Sequence, residues 1–588
     1  MIDQQPAPLR RPPRSRPTRV PPNRILIAAG IVLLILATVL IARWWMNRGD
    51  PVLDPTLLPA PGGSYTEGAV GIPANLNPLL AQNQSERDLA SVLFDGLTRV
   101  DGAGIPQPVL AKEWRVSDDG LHYTFQLRRD AKWHDGKPIT AQDVLFTIRL
   151  IQDPDFPGDK DLARFWRGIV PGATDDWTVT FHLLQPFAPF PNYAAVPILP
   201  KHLLAGTLAR DLAGEPFSKA PVGSGPFQFV SFDDSGEKVT LKANPDYVGG
   251  KPYLDQVVFR FYKDADGLIS ALKKGKVQGA GFVPVDKLFR KGTIPKNDIV
   301  YAPEISGFTG LFFNLRSPLF TDVQVRRAIQ LAIDRQAIVN NALGGQAELG
   351  YGPIPASSWA FDLVSKPEHD PDRAKKMLED AGWKDSNGDG VLDNGSNQLS
   401  FPLMVNADDP QRVAVATGIS RELQKIGIQV TVQPASSAQV NQALAGRQFT
   451  AALFGWQSAS GDPDSYQLWH SSEADSGLNF SGFRNQKADK LLAEARTTAN
   501  RDRRKDLYTQ FQKLFADQVP AVVLYYPRYH FAVSSKVHGI QASPLIAPND
   551  RLNGLSKWFV KSAGHRSPTP SPAASPASST APSPSPSS

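Results

Sequence analysis

The chain has 588 residues, of which 41% are apolar and 20% are charged, and its formal net charge is +6. This composition is typical of a folded globular protein and excludes a chain that is disordered throughout. The chain contains no cysteine, which excludes disulfides, iron–sulfur clusters, thiol nucleophiles and a lipid anchor attached through cysteine. Residues 1–48 hold eight arginines and one acid, so the basicity lies at the chain ends and not on the body. We therefore expect no nucleic-acid partner.

The N-terminal region predicts a membrane anchor. Residues 1–24 contain seven prolines and six arginines and predict a disordered, basic, cytoplasmic arm. Residues 25–42 are apolar or small and carry no charge, and a helix of that length reaches about 27 Å at 1.5 Å per residue. This predicts one transmembrane helix, with a cleavable signal peptide as the alternative. Because more arginines precede the segment than follow it, we expect the body to lie outside the cell membrane.

Two segments flank the predicted body, and an α/β pattern fills it. Residues 43–61 predict a linker, and 564–588 predict a disordered tail rich in serine, proline and alanine. Between them, strand and helix patterns alternate, which favours an α/β fold. The clearest strands are predicted over 123–127, 178–183 and 257–262, and the clearest helices over 143–151, 323–340, 411–426 and 484–515, the last as more than one helix.

The sequence lacks the motifs of common enzyme classes. It contains no Gly-x-Ser-x-Gly elbow, no His-Glu-x-x-His pair, no Walker A loop and no dinucleotide glycine pattern. Glycosidases with paired carboxylates need no such motif, so this class is not excluded by the survey. We nevertheless expect neither an enzyme nor a cofactor, because little of a catalytic constellation can be found.

One polar stretch resembles a calcium-binding loop. Asp385, Asn387, Asp389 and Asp393 stand at positions 1, 3, 5 and 9 of that pattern, with a glycine at position 6. Position 12 is Ser396, where the loop needs a bidentate glutamate. We therefore expect a polar turn between a helix and a strand, and these four residues are only a calcium candidate.

Three stretches resemble a known family. They are residues 111–144, which include Trp133-His134-Asp135-Gly136, the glycine turn 221–227, and residues 313–335, which end in Ile333-Asp334-Arg335. Together they resemble the signature of family 5 extracellular solute-binding proteins, the oligopeptide-, dipeptide- and nickel-binding components of ABC importers. The resemblance covers residues 64–562. The signature residues themselves are expected to form turns and helix caps, for example at Thr140, and not the ligand site.

The resemblance implies an α/β, two-lobed periplasmic-binding-protein-like fold of type II with an extra small β-rich domain. Lobe I would comprise 62–97, 183–304 and 526–563, the β-rich domain 98–182, and lobe II 305–525. The implied function is capture of a peptide or other small solute for the permease subunits of an ABC importer. A sensory receptor that uses the same fold without transport is the alternative. We expect a monomer at the cell membrane.

By resemblance, three segments should face the ligand cleft. Their residues are Gln82, Asn83, Gln84 and Ser85 of a loop, Phe308 and Phe312 of a crossover strand, and Trp456, Gln457, Ser458, Ala459, Asp462 and Asp464 of a third segment. Aromatic walls with a few polar groups are typical of such sites. For Trp456, ordinary core packing is the alternative.

The third segment departs from the family pattern at one position. Peptide binders of this family carry an aspartate three residues after the tryptophan, where it pairs with the ligand's free amino group. Here that position is Ala459. Because a buried ammonium without a counter-charge is costly, we expect a ligand without a free amine unless Asp462 or Asp464 replaces the acid. Blocked peptides, sugars and nickel chelates remain open.

Overall fold

The computed structural model describes residues 57–565, apart from the single residues 234, 289, 367, 396 and 459. The predicted arm, the predicted membrane segment 25–42 and most of the predicted tail lie outside this range. Within the range, no helix has the length and apolar character needed to cross a membrane.

The described residues form 21 strands and 15 α-helices. In chain order the strands are β1 (Leu57–Ala60), β2 (Ser64–Val70), β3 (Thr98–Val100), β4 (Pro106–Pro108), β5 (Ala111–Val116), β6 (His122–Leu127), β7 (Ile169–Asp175), β8 (Thr178–Leu183), β9 (Phe227–Phe232), β10 (Lys238–Ala243), β11 (Gln256–Tyr262), β12 (Gly279–Ala280), β13 (Asp298–Tyr301), β14 (Phe308–Phe313), β15 (Ala347–Leu349), β16 (Ser400–Asn406), β17 (Gln429–Ala435), β18 (Ala451–Trp456), β19 (Ala521–Pro527), β20 (Phe531–Ser534) and β21 (Lys561–His565). The helices are α1 (Gln84–Leu93), α2 (Ala141–Gln152), α3 (Lys160–Arg167), α4 (Phe190–Tyr193), α5 (Lys201–Leu204), α6 (Ala265–Lys273), α7 (Val285–Leu288), α8 (Val323–Ala332), α9 (Arg335–Leu343), α10 (Pro371–Asp380), α11 (Pro410–Gln424), α12 (Ser437–Ala445), α13 (Tyr466–Trp469), α14 (Gln486–Thr497) and α15 (Arg501–Gln518). Short 3-10 helices lie at Pro78–Leu80, Ala209–Gly214, Pro216–Ser218, Pro318–Phe320, Ser471–Glu473, Pro548–Leu552 and Leu555–Lys557.

A seven-stranded sheet in the order β13-β20-β12-β2-β11-β10-β9 forms the first large unit. Its central strands β2 and β11 run parallel along their whole lengths. One face packs on helix α1, where Val257 and Phe259 of β11 share a buried cluster with Leu89 and Val92. The other face packs on helix α6. We call this sheet and its helices lobe I.

A six-stranded sheet in the order β15-β19-β14-β18-β16-β17 forms the second large unit, which we call lobe II. The alternation of side chains along β14 buries both of its faces. Leu311 and Phe313 pack into one apolar cluster, and Phe308 and Phe312 pack into the cluster on the opposite face. A strand with no polar face is therefore expected at the centre of this sheet, and all six residues of β14 are buried.

The four-stranded antiparallel sheet β5-β6-β8-β7 lies within the segment predicted as an extra β-rich domain. It confirms the strands predicted over 123–127 and 178–183. Phe125 and Phe181 belong to the same buried cluster as the core of lobe I. The turn between β5 and β6 ends at Gly120, whose φ of +71° suits glycine. The domain boundaries given above stay a proposal.

The predicted helices form with one adjustment. The segment predicted as helical over 323–340 is divided, because Asp334 accepts a hydrogen bond from the N–H of Ala337 at 2.8 Å and so begins a new helix, α9. The segment 484–515 is confirmed as more than one helix, α14 and α15. Helix α2 begins as predicted at Thr140, whose N–H donates to the Asp143 carboxylate at 2.8 Å.

The first and last described strands pair with each other. Strand β1 runs antiparallel to β21, with Ala60 opposite Lys561. The end of the predicted linker and the start of the predicted tail are therefore strand residues. Their pairing next to lobe I supplies the backbone partners that the sequence pattern did not reveal.

Two chain crossings join lobe I to lobe II. Residues 302–307 lead from β13 to β14, and residues 528–530 lead back from β19 to β20. The crossings run side by side, because the N–H of Ile305 donates to the carbonyl of Pro527 at 3.0 Å. A cavity at this junction is therefore bounded by both lobes.

Candidate functional site

A cavity of about 220 Å³ lies where the crossings enter lobe II. Ser306 and Gly307 of the first crossing and Arg528 of the second line it. Lobe I contributes Val285, and lobe II contributes Trp456 at the end of β18. Sites at lobe junctions enclose a ligand when the lobes close, which makes this cavity the candidate ligand site.

Two aromatic residues form the wall of the cavity. Phe308 and Trp456 stand opposite each other in the antiparallel pair β14–β18. Phe308 is buried, whereas Trp456 is only partly buried and packs against the edge of a lobe II cluster. A smaller cavity of about 30 Å³ shares both residues and continues toward Ser458. The structure thus brings Phe308, Trp456, Gln457 and Ser458 together at one site.

The topology of lobe II explains why the site lies here. Strands β16 and β18 run parallel, with Leu403 opposite Ala451, so their carboxyl ends meet at the same edge. Ligands bind at the carboxyl ends of parallel strands in α/β proteins. Helix α11 begins directly after β16 and brings Arg412 of its first turn to the cavity.

Arg412 is held in place by its own helix terminus. Asp409 caps helix α11 and accepts a hydrogen bond from the N–H of Arg412 at 3.0 Å. Its second carboxylate oxygen lies 3.2 Å from Nε of Arg412. The guanidinium rests against Gly455, where a Cβ would stand only 2.9 Å from Nη2. Beside it, burial raises the pKa of the Tyr525 phenol above its usual value, so this hydroxyl stays protonated.

The charged side chains that line the cavity are Arg412, Asp409 and Arg528. Asp409 is paired with Arg412, and Arg528 donates a hydrogen bond to Glu348 outside the lining. Each arginine of the lining is therefore paired with one carboxylate, and each guanidinium keeps further N–H donors beyond that pair. An anionic group of a ligand would meet guanidinium donors in a partly desolvated cavity, where charge-assisted hydrogen bonds are strongest.

Asp462 and Asp464 are both paired with arginines. The two carboxylate oxygens of Asp462 accept hydrogen bonds from Arg504 at 2.6 and 3.0 Å, and both side chains are buried. Asp464 lies 2.8 Å from Arg496. Both residues line the smaller cavity beside Trp456, but neither carries an uncompensated charge there. The structure therefore gives no support to either as the counter-charge for a ligand ammonium.

The predicted loop residues do not reach the cavity. Asn83 caps helix α1 and accepts from the N–H of Glu86 at 3.0 Å, while the Glu86 carboxylate accepts from the N–H of Gln82 at 2.6 Å. Gln84 donates to Asp88 at 2.8 Å, and Ser85 is fully buried. These four residues form a capping box and a helix start, and none of them lines the two cavities beside Trp456.

Phe312, which the resemblance predicts to face the cleft, does not line the cavity either. It points to the same face of β14 as Phe308, as residues four apart in a strand do. It lies deeper under the helices of lobe II, however, where its ring stacks on Phe454 at 3.8 Å and on Trp469 at 5.7 Å. Because it is 0% exposed, it packs the core and does not line the cavity.

The remaining predicted residues have other partners or are not described. Gln457 lines the larger cavity and donates from Nε2 to the carbonyl of Ile546 in lobe I at 2.7 Å. Ala459 lies outside the described residues.

In the calcium candidate, Asp385 accepts hydrogen bonds from the N–H groups of Gly388 and Gly390, as in a polar turn. Among the described residues, no group of three or more His, Asp or Glu side chains could hold a metal ion.

Sequence reasoning missed the arginines and Tyr525 of the cavity. One signal was available for Arg412. It stands in the first turn of a helix that directly follows a strand, which is where α/β folds place ligand contacts. Tyr525 lies in β19 and Arg528 in the second crossing, and only the meeting of the two lobes brings them to the site.

The comparisons with known proteins agree with this architecture. The family model described as "Bacterial extracellular solute-binding proteins, family 5 Middle" matches residues 106–478. The oligopeptide-binding protein AppA of Bacillus subtilis is 33% identical over 511 residues, which cover 85% of this chain and 92% of AppA.

Three solved structures are similar over nearly their whole lengths. AppA from Bacillus subtilis in complex with a nonapeptide matches with a TM-score of 0.64 and 31% identity, covering 86% of this chain and 100% of that chain. NikZ from Campylobacter jejuni in complex with Ni(L-His) matches with a TM-score of 0.65 and 28% identity, covering 84% of this chain and 99% of that chain. AgaA from A. tumefaciens R10 in complex with agropinic acid matches with a TM-score of 0.63 and 26% identity, covering 86% of this chain and 100% of that chain. These matches confirm the predicted α/β periplasmic-binding-protein-like fold. The chain therefore belongs to family 5 of the bacterial extracellular solute-binding proteins.

Proposed function

We propose that the protein captures a small, peptide-like solute that has a carboxylate and a blocked amino end. The solute binds between lobes I and II and is delivered to the permease subunits of an ABC importer. The observation that carries this proposal is the lining of the cavity of about 220 Å³, which has two arginines, one paired with Asp409 and the other with Glu348, whose remaining guanidinium N–H groups can donate to a ligand.

The carboxylate is assigned from the position of Arg412. Its Nε lies 3.2 Å from Asp409, and its Nη2 rests on Gly455 at the end of β18. Because Asp409 and Gly455 fix the guanidinium, it is pre-organised for a carboxylate, and little side-chain entropy is lost on binding. Ser306 and Thr309 add hydroxyl groups to the same cavity.

The blocked amino end is assigned from the acids. The aspartate that pairs with a ligand ammonium in peptide binders of this family corresponds to Ala459 here. Asp462 and Asp464 bind Arg504 and Arg496 instead. A ligand ammonium would therefore enter a partly desolvated site without a counter-charge, which is costly.

The size class follows from the volume. Ligand pockets for drug-sized molecules hold roughly 300–1,000 Å³. The cavities beside Trp456 measure about 220 and about 30 Å³, which favours a short solute over a long peptide. The relatives span both extremes, because AppA is in complex with a nonapeptide and AgaA with agropinic acid.

The membrane anchor is part of the proposal. Residues 25–42 would hold the protein in the membrane with the two lobes outside the cell, as a monomer. This location places the cavity next to the permease subunits that would receive the solute.

The test compares three dialanine ligands by titration against the full chain. They are N-acetyl-dialanine, dialanine with its free amine, and N-acetyl-dialanine amide, which lacks the carboxylate. We expect the first to bind at least about tenfold more tightly than either of the others, because one charge-assisted contact contributes that much. Arg412→Gln should remove the preference for the carboxylate. The matched control is Arg421→Gln, which changes an exposed arginine of the same helix that lines neither cavity.

Ala459→Asp tests the amino end in the same assay. By resemblance to peptide binders, it supplies the missing counter-charge, so it should improve binding of free dialanine by about tenfold. The proposal fails if wild-type protein binds free dialanine more tightly than the acetylated ligand, or if Arg412→Gln and Arg421→Gln behave alike.

A further inference from the structure

Two histidines lie side by side on the outer face of the four-stranded sheet β5-β6-β8-β7. His122 of β6 stands directly opposite His182 of β8, and both side chains are exposed. Their chain neighbours Tyr123, Phe181 and Leu183 are buried, so the alternation along the two strands turns the histidines away from the core. Neither histidine lines the cavities beside Trp456, so the pair is separate from the candidate ligand site.

The register of the two strands brings the histidine side chains close together. Leu121 and Leu183 form the neighbouring hydrogen-bonded pair, in which the N–H of Leu183 donates to the carbonyl of Leu121 at 2.9 Å. Because the two kinds of pair alternate along antiparallel strands, His122 and His182 form a non-hydrogen-bonded pair, with an expected Cα separation of about 4.5 Å. Their imidazole rings stack, with 4.4 Å between the centroids and 26° between the planes.

The ring nitrogens of this pair are available to a ligand. The backbone N–H of His122 donates to the hydroxyl of Ser117, but no group of the described residues hydrogen-bonds to either imidazole ring. A neutral imidazole has one nitrogen with a lone pair, and this nitrogen is the commonest metal ligand among protein side chains. Rotation of the two exposed rings can bring both lone pairs to about 2 Å from one ion.

The turn between β5 and β6 adds negative charge beside the pair. Asp118 and Asp119 of this turn are both exposed. Hydrogen bonds from the Ser117 hydroxyl and from the N–H of Leu121 lower the pKa of the Asp119 carboxyl, and attraction to the two histidines lowers it further. The ionised carboxylate therefore favours a cation at this end of the sheet.

We propose that His122 and His182 together bind one divalent late first-row transition-metal ion, with water molecules as its remaining ligands. Imidazole suits Cu²⁺, Ni²⁺ and Zn²⁺, whereas Mg²⁺ and Ca²⁺ prefer oxygen ligands. Among the described residues, no third His, Asp or Glu side chain completes a metal cluster with the pair, so water fills the other positions. The ion joins β6 to β8 and does not depend on which solute the protein captures.

The experiment titrates Cu²⁺ into the full chain by calorimetry, since Cu²⁺ binds nitrogen sites most tightly of these ions. Either His122→Gln or His182→Gln should weaken binding at least about tenfold, because the second imidazole binds intramolecularly once the first holds the ion. The matched control is His369→Gln, which removes an exposed histidine and should leave the affinity unchanged.

Electron paramagnetic resonance of the bound Cu²⁺ counts its imidazole ligands. Wild-type protein and His369→Gln should show two imidazole nitrogens, and each single variant of the pair should show one. Circular dichroism checks the fold, and His122→Asn and His182→Asn take the place of a variant that does not fold. The proposal is overturned if the variants of the pair bind Cu²⁺ as tightly as wild-type protein, or if His369→Gln weakens binding as much as they do.

Discussion

Two aromatic residues of lobe II show how differently similar side chains act. Trp456 lies at the end of β18, is partly buried and lines both cavities of the candidate site. Phe312 lies in the middle of β14, is 0% exposed and stacks on Phe454 and Trp469. The first position has solvent and ligand space on one side, whereas the second is surrounded by protein. Truncation should therefore affect binding at one position and stability at the other.

The prediction is that Trp456→Ala weakens binding of N-acetyl-dialanine at least about tenfold with a small loss of stability. Phe312→Ala should lower the free energy of unfolding by about 3–5 kcal/mol, because it leaves a cavity in a packed core. Ligand titration and urea unfolding measure the two effects. If Trp456→Ala destabilises the protein as much as Phe312→Ala does, Trp456 is a core residue and not the wall of a ligand site.

At the scale of elements, hydrogen bonds of His134 connect two turns. Its N–H donates to the carbonyl of Gly223 at 2.8 Å, and its Nδ1 accepts from the N–H of Gly223 at 3.1 Å. Its Nε2 lies 3.0 Å from the carbonyl of Gly225 and donates to it. Glycine is required in this turn, because a Cβ at Gly223 would stand 1.8 Å from the carbonyl oxygen of Leu93. We call these hydrogen bonds the His134 clasp. It joins two stretches of the family signature that lie far apart in sequence.

The clasp predicts a pH dependence of stability. Burial lowers the pKa of His134 to about 4, below the value of about 6.5 in an unfolded chain. Between these values the unfolded chain binds a proton that the folded protein does not bind, so stability is lost as the pH falls from about 6.5 to about 4. The share of His134 amounts to about 3 kcal/mol over this window.

The measurement is urea unfolding of wild-type protein and His134→Gln at pH 7, 6, 5 and 4, which covers the window between the two pKa values. We expect the stability of the variant to fall less steeply with acidification. His530, whose pKa burial also lowers to about 4, titrates in both proteins and so cancels in the comparison. Parallel curves for the two proteins would show that the His134 ring does not stay neutral in the fold.

At the scale of the molecule, the two crossings decide how the lobes meet. Gly307 ends the first crossing and passes so close to the end of β18 that a Cβ would stand 2.4 Å from the carbonyl oxygen of Trp456. That atom is backbone and cannot rotate away, as a side chain could. The first crossing and the end of β18 can therefore touch only because residue 307 is glycine.

Gly307→Ala should separate the first crossing from the end of β18 and impair lobe closure. We expect the affinity for N-acetyl-dialanine to fall at least about tenfold and the ligand to cause less compaction in small-angle X-ray scattering. Gly214→Ala is the matched control, since no atom lies within 4 Å of a Cβ built there. The hinge argument is refuted if Gly307→Ala closes on the ligand as fully as Gly214→Ala does.

The sequence by itself determined the local structure and the family. The strands predicted over 123–127 and 178–183, the turn that ends at Gly120 and the start of helix α2 at Thr140 follow from alternation, turn residues and capping. These signals act over a few residues, so they can be read along the chain. The stretch 111–144 resembles the signature of the family, and the family model and a relative of 33% identity confirm that resemblance.

Only the tertiary structure shows which of the predicted residues line the candidate cavity. Asp462 is neutralised by Arg504, 42 positions further along the chain. Phe308 and Phe312 share one face of β14, yet only Phe308 reaches the cavity, since depth under the helices and not alternation decides exposure. Arg412 meets Gly455 because β16 and β18 are neighbours in the sheet. Ion pairs, burial depth and strand neighbours arise from contacts distant in sequence, and no local pattern encodes them.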